Sequence, residues 1–99
     1  MKRPVRVLRR AERDLLEIQA FVARDDPIAA GRLVDALVEA LGRLERFPNR
    51  GARPRDERLR RGGYRYLAHG EYLILYKVTR SGVRVYRIVH GRRRYAHLL

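Results

Sequence analysis

Hydrophobic residues in the first quarter of the chain change from an alternating to a helical spacing. Residues 4–8 place valines on either side of Arg6, and this alternation predicts a short strand. Apolar residues then recur at intervals of four, three and four, at Ala11, Leu15, Ile18 and Val22. Leu16, Ala20 and Phe21 widen that stripe. The second pattern predicts an amphipathic helix that buries one face.

A second amphipathic helix follows almost at once. Asp26 and Pro27 separate the two helices, because proline suits the first turn of a helix and aspartate accepts its free N–H groups. The apolar face of the second helix consists of Ala30, Leu33, Leu37, Ala40, Leu41 and Leu44. This helix should end near Arg46, ahead of Phe47-Pro48. Two helices with so short a link must fold back on each other as an αα-hairpin.

The second half of the chain has strand-like patterns after a polar connector. Residues 49–58 are rich in Arg, Gly and Pro and have no apolar periodicity. Three strands are predicted after this connector, over residues 64–68, 72–78 and 83–90. The middle run is almost continuously apolar, as expected for a strand inside a sheet. Short turns containing glycine separate the three runs, which is typical of hairpins.

Together these elements predict an α+β fold in the order β-α-α-β-β-β. Three hairpin-linked strands form an antiparallel meander, whose apolar face needs a cover. The αα-hairpin supplies that cover, and the first strand can add to the edge of the sheet. We therefore expect an N-terminal αα-hairpin packed on a small, mainly antiparallel sheet, in a single domain of residues 1–99.

Charge is the main compositional anomaly of this chain. Its 99 residues carry a formal net charge of +13, of which residues 50–99 hold +11 and residues 1–49 only +2. Such asymmetry indicates a surface for an anionic partner, either nucleic acid or an acidic protein segment. No cysteine is present, which excludes disulfides and thiol chemistry. No signal peptide or long apolar run is visible, so we expect a soluble, cytoplasmic protein.

Metal or cofactor chemistry is not expected. The histidines His69, His90 and His97 are dispersed, and no paired-carboxylate spacing typical of a metal site occurs. Asp14 and Glu17 are predicted to lie on the polar face of the first helix, either solvated or in an i,i+4 ion pair. We therefore expect no metal ion and no cofactor.

The order and spacing of these motifs resemble the RelE/ParE superfamily of bacterial type II toxin–antitoxin toxins. The resemblance is carried by Ala11-x-x-Asp14-Leu15-x-x-Ile18, Asp26-Pro27-x-x-Ala30, Leu44-x-x-x-Pro48-x-x-Gly51, Leu59-Arg60, the run Tyr72 to Val78 and the ending Val89-His90-Gly91-Arg92-Arg93. It covers nearly the whole chain and is strongest at that ending. Within the superfamily the chain is more similar to ParE.

RelE-like members are described as ribosome-dependent mRNA endonucleases, which need proton-transfer groups and cations at the phosphate. Under that alternative, the resemblance implies catalytic roles for Arg60, Arg93 and Tyr95, with His90 and His97 as further acid/base candidates. Arginine cannot act as a general base, because its pKa stays above about 12. The only lysine after residue 2 is Lys77, on the predicted central strand. This shortage of lysines favours ParE.

ParE-like members are described as plasmid-stabilising toxins that inhibit DNA gyrase by protein contact, without catalysis. The resemblance implies that the C-terminal tail binds the target, through Arg92, Arg93, Arg94, Tyr95, Leu98 and Leu99. Tyrosine and arginine are also residue types that often anchor protein interfaces. A third alternative is a non-toxic basic module that binds RNA or DNA.

Either kind of toxin implies a cognate antitoxin with an acidic C-terminal segment, which for this chain would be ParD-like. Apolar grooves along the helices and sheet, near the basic half of the chain, suit such an amphipathic segment. The residues assigned to antitoxin binding are Leu16, Val34, Val38, Arg60, Arg61 and Arg87. An acidic protein partner would account for the charge of this chain without direct nucleic-acid binding.

Overall fold

A computed structural model of the chain describes residues 4–92 and 95–99. Its strands and helices are β1 (Val5–Val7), α1 (Arg9–Ala23), α2 (Pro27–Arg43), α3 (Glu57–Arg61), β2 (Tyr64–His69), β3 (Tyr72–Thr79) and β4 (Gly82–His90). A 3₁₀ turn, Ala96–Leu98, follows in the tail. The predicted α+β order is confirmed, and α3 is an addition inside the connector that the sequence pattern had not indicated.

The four strands form one sheet in the order β1-β4-β3-β2. Strands β2, β3 and β4 make the predicted antiparallel meander, and β1 pairs in parallel with β4 at the edge. Gly82 allows this close pairing, because any Cβ there would collide with the carbonyl of Pro4. The sheet is therefore mainly antiparallel, as the sequence predicts, with one parallel strand added at its edge.

The helices pack as a hairpin over one face of the sheet. The junction between them is built as predicted: Pro27 opens α2, and Oδ1 of Asp26 accepts the backbone N–H of Ala29 at 3.1 Å. The core between the layers consists of Ala11, Leu37, Ala40, Leu41 and Leu44 from the helices and Ile74, Tyr76, Val83, Val85 and Ile88 from the sheet. Within residues 4–92 and 95–99, no helix is long and apolar enough to cross a membrane.

A buried ion pair lies along the outer edge of β4, past the point where β1 ends. Asp14 is only 3% exposed, so the predicted solvated position on α1 is wrong, whereas the predicted i,i+4 ion pair is present with Arg10. Its Oδ2 accepts the backbone N–H of Ile88 at 2.9 Å and the Nε of Arg87 at 2.8 Å. Its Oδ1 accepts Nη2 of Arg87 at 3.1 Å and lies 2.9 Å from Nη1 of Arg10. Because β1 pairs only as far as Val85, this carboxylate takes the place of a strand partner for Ile88.

The connector after α2 is fastened to the sheet by a buried tyrosine. The hydroxyl of Tyr76 donates to the carbonyl of Pro48 and accepts the N–H of Gly51, both at 2.8 Å. Nη1 of Arg65 donates to the carbonyl of Gly51 at 2.9 Å. A Cβ on Gly51 would lie 2.5 Å from the Tyr76 hydroxyl, so the glycine is required by close approach. The connector is thus a defined part of the structure, although its sequence has no periodic pattern.

Replacing Tyr76 with phenylalanine should destabilise the protein without changing its fold. The variant leaves the carbonyl of Pro48 and the N–H of Gly51 without their hydroxyl partner. An unsatisfied buried polar group costs about 1–3 kcal/mol, so we expect the free energy of unfolding to fall by about that amount. Urea denaturation followed by circular dichroism measures this difference.

The pH dependence supplies a control for the same variant. Burial raises the pKa of Tyr76 above its usual 10.0, so the folded protein holds this proton more tightly than the unfolded chain does. The corresponding stability is fully present below pH 10 and is lost as the pH rises through the folded-state pKa. The difference between wild type and the phenylalanine variant should therefore shrink above pH 10. A difference that stays constant to high pH would contradict a hydroxyl role for Tyr76.

Candidate functional site

The C-terminal tail leaves β4 in a defined turn and returns towards α3. The N–H of Gly91 donates to the carbonyl of Glu71 at 2.7 Å, and the N–H of Arg92 donates to Nδ1 of His90 at 3.2 Å. The tail ends in its 3₁₀ turn, in which the N–H of Leu98 donates to the carbonyl of Tyr95 at 2.9 Å. Of the predicted target-binding set, Arg92 is exposed, Tyr95, Leu98 and Leu99 are partly buried, and Arg93 and Arg94 lie outside the described residues.

Tyr95 is held in a protonated, partly buried state. Burial raises the pKa of its hydroxyl above the usual 10.0, and electrostatic interactions with Tyr66 and Asp56 raise it further. Tyr95 thus lies within electrostatic range of β2 and of the start of α3. A general base at neutral pH needs a pKa near 7, and this environment moves the pKa of Tyr95 the other way.

The short helix α3 carries two of the predicted binding arginines on its surface. Oδ1 of Asp56 accepts the N–H of Leu59 at 3.0 Å, and the buried side chain of Leu59 anchors the helix. Arg60 and Arg61 are both exposed, and Nη2 of Arg61 lies 2.6 Å from Oε1 of Glu57. The charge of Asp56, at the start of α3, also acts on the pKa of Tyr95 in the tail. Because both are exposed, Arg60 and Arg61 are available to a partner on the surface of α3.

Lys77 lies against aromatic rings on the sheet. Its Nζ lies 4.3 Å from the ring centroid of Tyr64 and 5.5 Å from that of Tyr86. The two rings contact each other edge to face, with centroids 5.2 Å apart. A lysine between tyrosine rings is stabilised by cation–π attraction. The cluster extends the basic surface with aromatic groups that the sequence analysis had not singled out.

The assignment of Arg87 to antitoxin binding needs correction. Its side chain is only 5% exposed, and its guanidinium donates twice to the carboxylate of Asp14. A partner protein could reach it only by breaking this buried pair, which is strongly unfavourable. Arg87 therefore belongs to the framework of the fold and not to an exposed binding surface.

The helical hairpin exposes several large apolar side chains. Leu16 is 66% exposed and Val38 is 51% exposed, whereas Val34 is partly buried. Phe21, Ile28 and Phe47 are also mainly exposed, so Leu16 and Phe21 do not extend the buried stripe of α1 as the sequence predicts. Exposed apolar side chains of this size on a small protein are typical of an interaction surface.

A groove of about 430 Å³ lies between α1 and the ends of β3 and β4. Its walls are Asp14, Glu17, Ile18, Phe21, Tyr72, Ile88, Val89 and His90. His90 forms an edge-to-face contact with Tyr72, with ring centroids 5.6 Å apart, and its Nε2 lies 3.5 Å from Oε2 of Glu71. The groove thus joins the exposed face of α1 to the base of the tail, and it can accept an apolar side chain from a partner.

Comparison with known proteins places this architecture among the toxins of type II toxin–antitoxin systems. Residues 5–95 match the family described as ParE toxin of type II toxin-antitoxin system, parDE, and the chain belongs to this family. A protein of Sinorhizobium fredii (strain NBRC 101917 / NGR234) named "Putative toxin Y4kP" is 31% identical over 98 residues. That alignment covers 99% of this chain and 98% of the relative. The resemblance that the sequence indicates is thereby confirmed.

Two solved toxin–antitoxin structures have similar folds. The chromosomal ParDE system from P. aeruginosa is similar over 90% of this chain and 96% of that chain, with a TM-score of 0.75 and 25% identity. The RelBE2 toxin–antitoxin complex from Mycobacterium tuberculosis is similar over 91% and 99%, with a TM-score of 0.68 and 29% identity. Because a ParDE and a RelBE protein both resemble this chain, the comparisons support a ParE/RelE-type toxin and do not distinguish gyrase from RNA as its target.

Proposed function

We propose that this protein is a ParE-like, plasmid-stabilising toxin that inhibits DNA gyrase by protein contact and is neutralised by an acidic antitoxin. The observation that carries this choice is the match of residues 5–95 to the family of ParE toxins. The partial burial of Tyr95 raises the pKa of its hydroxyl further from neutral pH, which is consistent with the same choice.

The tail is the proposed gyrase-binding element. It presents exposed Arg92 together with Tyr95, Leu98 and Leu99, each partly exposed. Arginine and aromatic side chains at a partly desolvated surface are the usual anchors of a protein interface. Arg60 and Arg61, exposed on α3, are kept for the antitoxin, whose acidic segment their positive charge would attract.

The exposed helical surface is the proposed antitoxin-binding element. Leu16 and Val38 offer apolar contacts, Val34 offers a partly buried one, and the basic second half of the chain attracts an acidic segment. Separate surfaces for target and antitoxin would allow the antitoxin to bind without competing directly for the tail. The antitoxin would then act either by blocking the approach of gyrase or by changing the conformation of the toxin.

A RelE-like nuclease is the second candidate, and one observation favours it. The cluster of Lys77, Tyr64 and Tyr86 combines a cation with aromatic rings that can stack on unpaired bases. In that case Arg60, Arg93 and Tyr95 would act at the scissile phosphate, by analogy with the superfamily. Partial burial raises the pKa of Tyr95, which does not favour proton transfer at neutral pH, so the nuclease is the second candidate.

Expression in bacterial cells separates these candidates. A gyrase inhibitor should arrest growth with an early loss of DNA synthesis and relaxation of a reporter plasmid, while bulk mRNA stays intact. A ribosome-dependent nuclease should instead stop protein synthesis first and cleave mRNA on the ribosome in a codon-dependent way. Unimpaired growth at high expression would favour the non-toxic nucleic-acid-binding alternative and contradict the proposed function.

The Tyr95→Phe variant tests whether catalysis contributes to toxicity. Removing only the hydroxyl keeps the partly buried ring, so a gyrase inhibitor should lose no more than about threefold in activity, the size of a weak interface contact. General acid–base catalysis contributes about 10²–10⁴-fold, so a nuclease should lose several hundredfold. The measurement is the inducer concentration that halves the growth rate, at matched protein levels.

A further inference from the structure

The loop that follows α2 combines an exposed apolar side chain with two arginines. We name residues 46–50 the Phe47 loop. Phe47 is 59% exposed, and Arg46 and Arg50 on either side of it are also exposed. Among the residues that the structure describes, no ion pair involves either arginine. The loop lines an open depression with a volume of about 560 Å³, which is large enough to accept side chains from a partner.

Hydrogen bonds from the sheet hold the Phe47 loop in place. Besides the two hydrogen bonds of the Tyr76 hydroxyl to Pro48 and Gly51, Nη1 of Arg65 contacts the carbonyl of Asn49 at 3.4 Å. Ala52, just beyond, exchanges two backbone hydrogen bonds with Tyr66, at 2.8 and 2.9 Å. A loop held in this way loses little conformational freedom when a partner binds, which favours affinity. The buried fastening therefore presents Phe47 and its arginines in a fixed arrangement.

The positive charge of the Phe47 loop is confined to a small area. Its extent therefore helps to decide between a nucleic-acid strand and a short acidic peptide as the partner. Arg43, in the last turn of α2, is already paired with Glu39 at 2.6 Å, and Glu45 directly precedes the loop. A nucleic-acid strand needs a positive track along successive phosphates, and these acids interrupt one. Two guanidiniums beside an apolar surface suit a short peptide with carboxylates and one large apolar side chain.

We propose that the Phe47 loop is a docking point for an acidic protein segment, whose apolar side chain packs on Phe47 and Pro48 while its carboxylates bind Arg46 and Arg50. Resting on the proposed function, the segment is part of the antitoxin. Val38 lies in the last turns of α2, and the Phe47 loop begins three residues after that helix ends at Arg43. One segment that runs along the end of α2 can therefore contact both the hairpin surface and the loop.

Chemical-shift mapping on the full-length protein tests this assignment. The probe is the capped peptide Glu-Asp-Phe-Leu-Glu-Asp, and its matched control is Gln-Asn-Phe-Leu-Gln-Asn. We expect the acidic peptide to shift the amide signals of the Phe47 loop, and the uncharged one to bind about tenfold or more weakly. Shifts spread evenly over the arginine-rich half of the chain would overturn the proposal, since they indicate non-specific attraction.

Two variants and a matched control sharpen the test. Arg46→Gln with Arg50→Gln should weaken binding of the acidic peptide about tenfold or more, and Phe47→Ser should do so by a similar factor. Arg24→Gln with Arg32→Gln removes the same charge from exposed sites elsewhere and should change binding less than about threefold. Equal losses in both double variants would contradict a site at the loop. Loss of single-stranded RNA binding, with peptide binding unchanged, would assign the loop to nucleic acid and overturn the proposal.

The growth assay keeps this proposal separate from the proposed function. Chemical-shift mapping reports only on peptide binding at the Phe47 loop. The peptide can therefore fail to bind there while the wild-type protein still arrests growth through gyrase. A wild-type protein that binds the peptide at the loop but leaves growth and supercoiling unchanged would instead contradict the toxin function alone. Since all three substituted loop residues are exposed, the variants should keep the thermal unfolding midpoint of the wild type within a few degrees.

Discussion

Asp14→Ala should unfold a large fraction of the protein under mild denaturing conditions. The variant leaves the guanidinium of Arg87 buried without its carboxylate and removes the acceptor for the N–H of Ile88. Breaking a buried ion pair from one side costs about 3–5 kcal/mol, which is a large part of the stability of a domain of this size. Urea denaturation should show the midpoint shifting to much lower urea concentration.

Two further variants separate the buried pair from a general effect of charge. Glu17→Gln removes an exposed carboxylate on the same helix, which pairs with Arg10 at 3.4 Å, so it should cost less than about 1 kcal/mol. Asp14→Leu combined with Arg87→Met replaces the pair by apolar side chains and should recover much of the lost stability. Equal stability of Asp14→Ala and Glu17→Gln would contradict the role assigned to the pair.

Deletion of residues 92–99 should abolish toxicity while leaving the fold and antitoxin binding largely intact. The buried core ends with Val89, so the truncated chain keeps every residue of the core between the helices and the sheet. What it loses are the proposed gyrase contacts of Arg92, Tyr95, Leu98 and Leu99. Growth after induction should therefore match an empty vector, a change of several orders of magnitude in surviving colonies.

The control for the deletion is binding rather than growth. The truncated chain should still co-purify with its antitoxin, and its unfolding midpoint should stay within several degrees of wild type. Full growth arrest by the truncated chain would contradict the role of the tail. Loss of both folding and antitoxin binding would show that Tyr95 and its neighbours serve the structure.

The regular elements could be predicted because their apolar periodicity reflects burial on one face. The pattern at Ala11 and Leu37 follows from packing against the sheet, and the turn at Asp26-Pro27 follows from local capping chemistry. Helix α3 escaped prediction because five residues are too few to show a period. Its signals were only the capping residue Asp56 and the single buried side chain of Leu59.

The roles of Asp14 and Arg87 could not be predicted from periodicity. They depend on β1 ending after pairing with Val85, which leaves the N–H of Ile88 without a strand partner. Nothing local to Asp14 encodes that distant backbone group, 74 residues away in the chain. The same holds for Tyr76, whose apolar strand context predicts its burial but not the loop that its hydroxyl binds.

The candidate surfaces were predicted in part for a related reason. Leu16 and Phe21 extend an apolar pattern in the sequence, but they lie outside the strip of α1 that the core covers and are exposed. The sequence shows the apolar pattern of α1, but it does not show how wide a strip of the helix the core covers. The excess charge lies in the second half of the sequence, but only the structure shows that Arg87 is buried against Asp14 whereas Arg60 and Arg61 are exposed.

Inhibition of purified gyrase tests the proposed function most directly. The full-length protein is added to gyrase, ATP and relaxed plasmid, and in parallel to programmed ribosomes with a defined mRNA. We expect the wild type and Tyr95→Phe to abolish supercoiling, the protein lacking residues 92–99 to leave supercoiling unchanged, and the mRNA on the ribosomes to stay intact. Unchanged supercoiling with wild type, together with cleavage of the mRNA, would contradict gyrase inhibition.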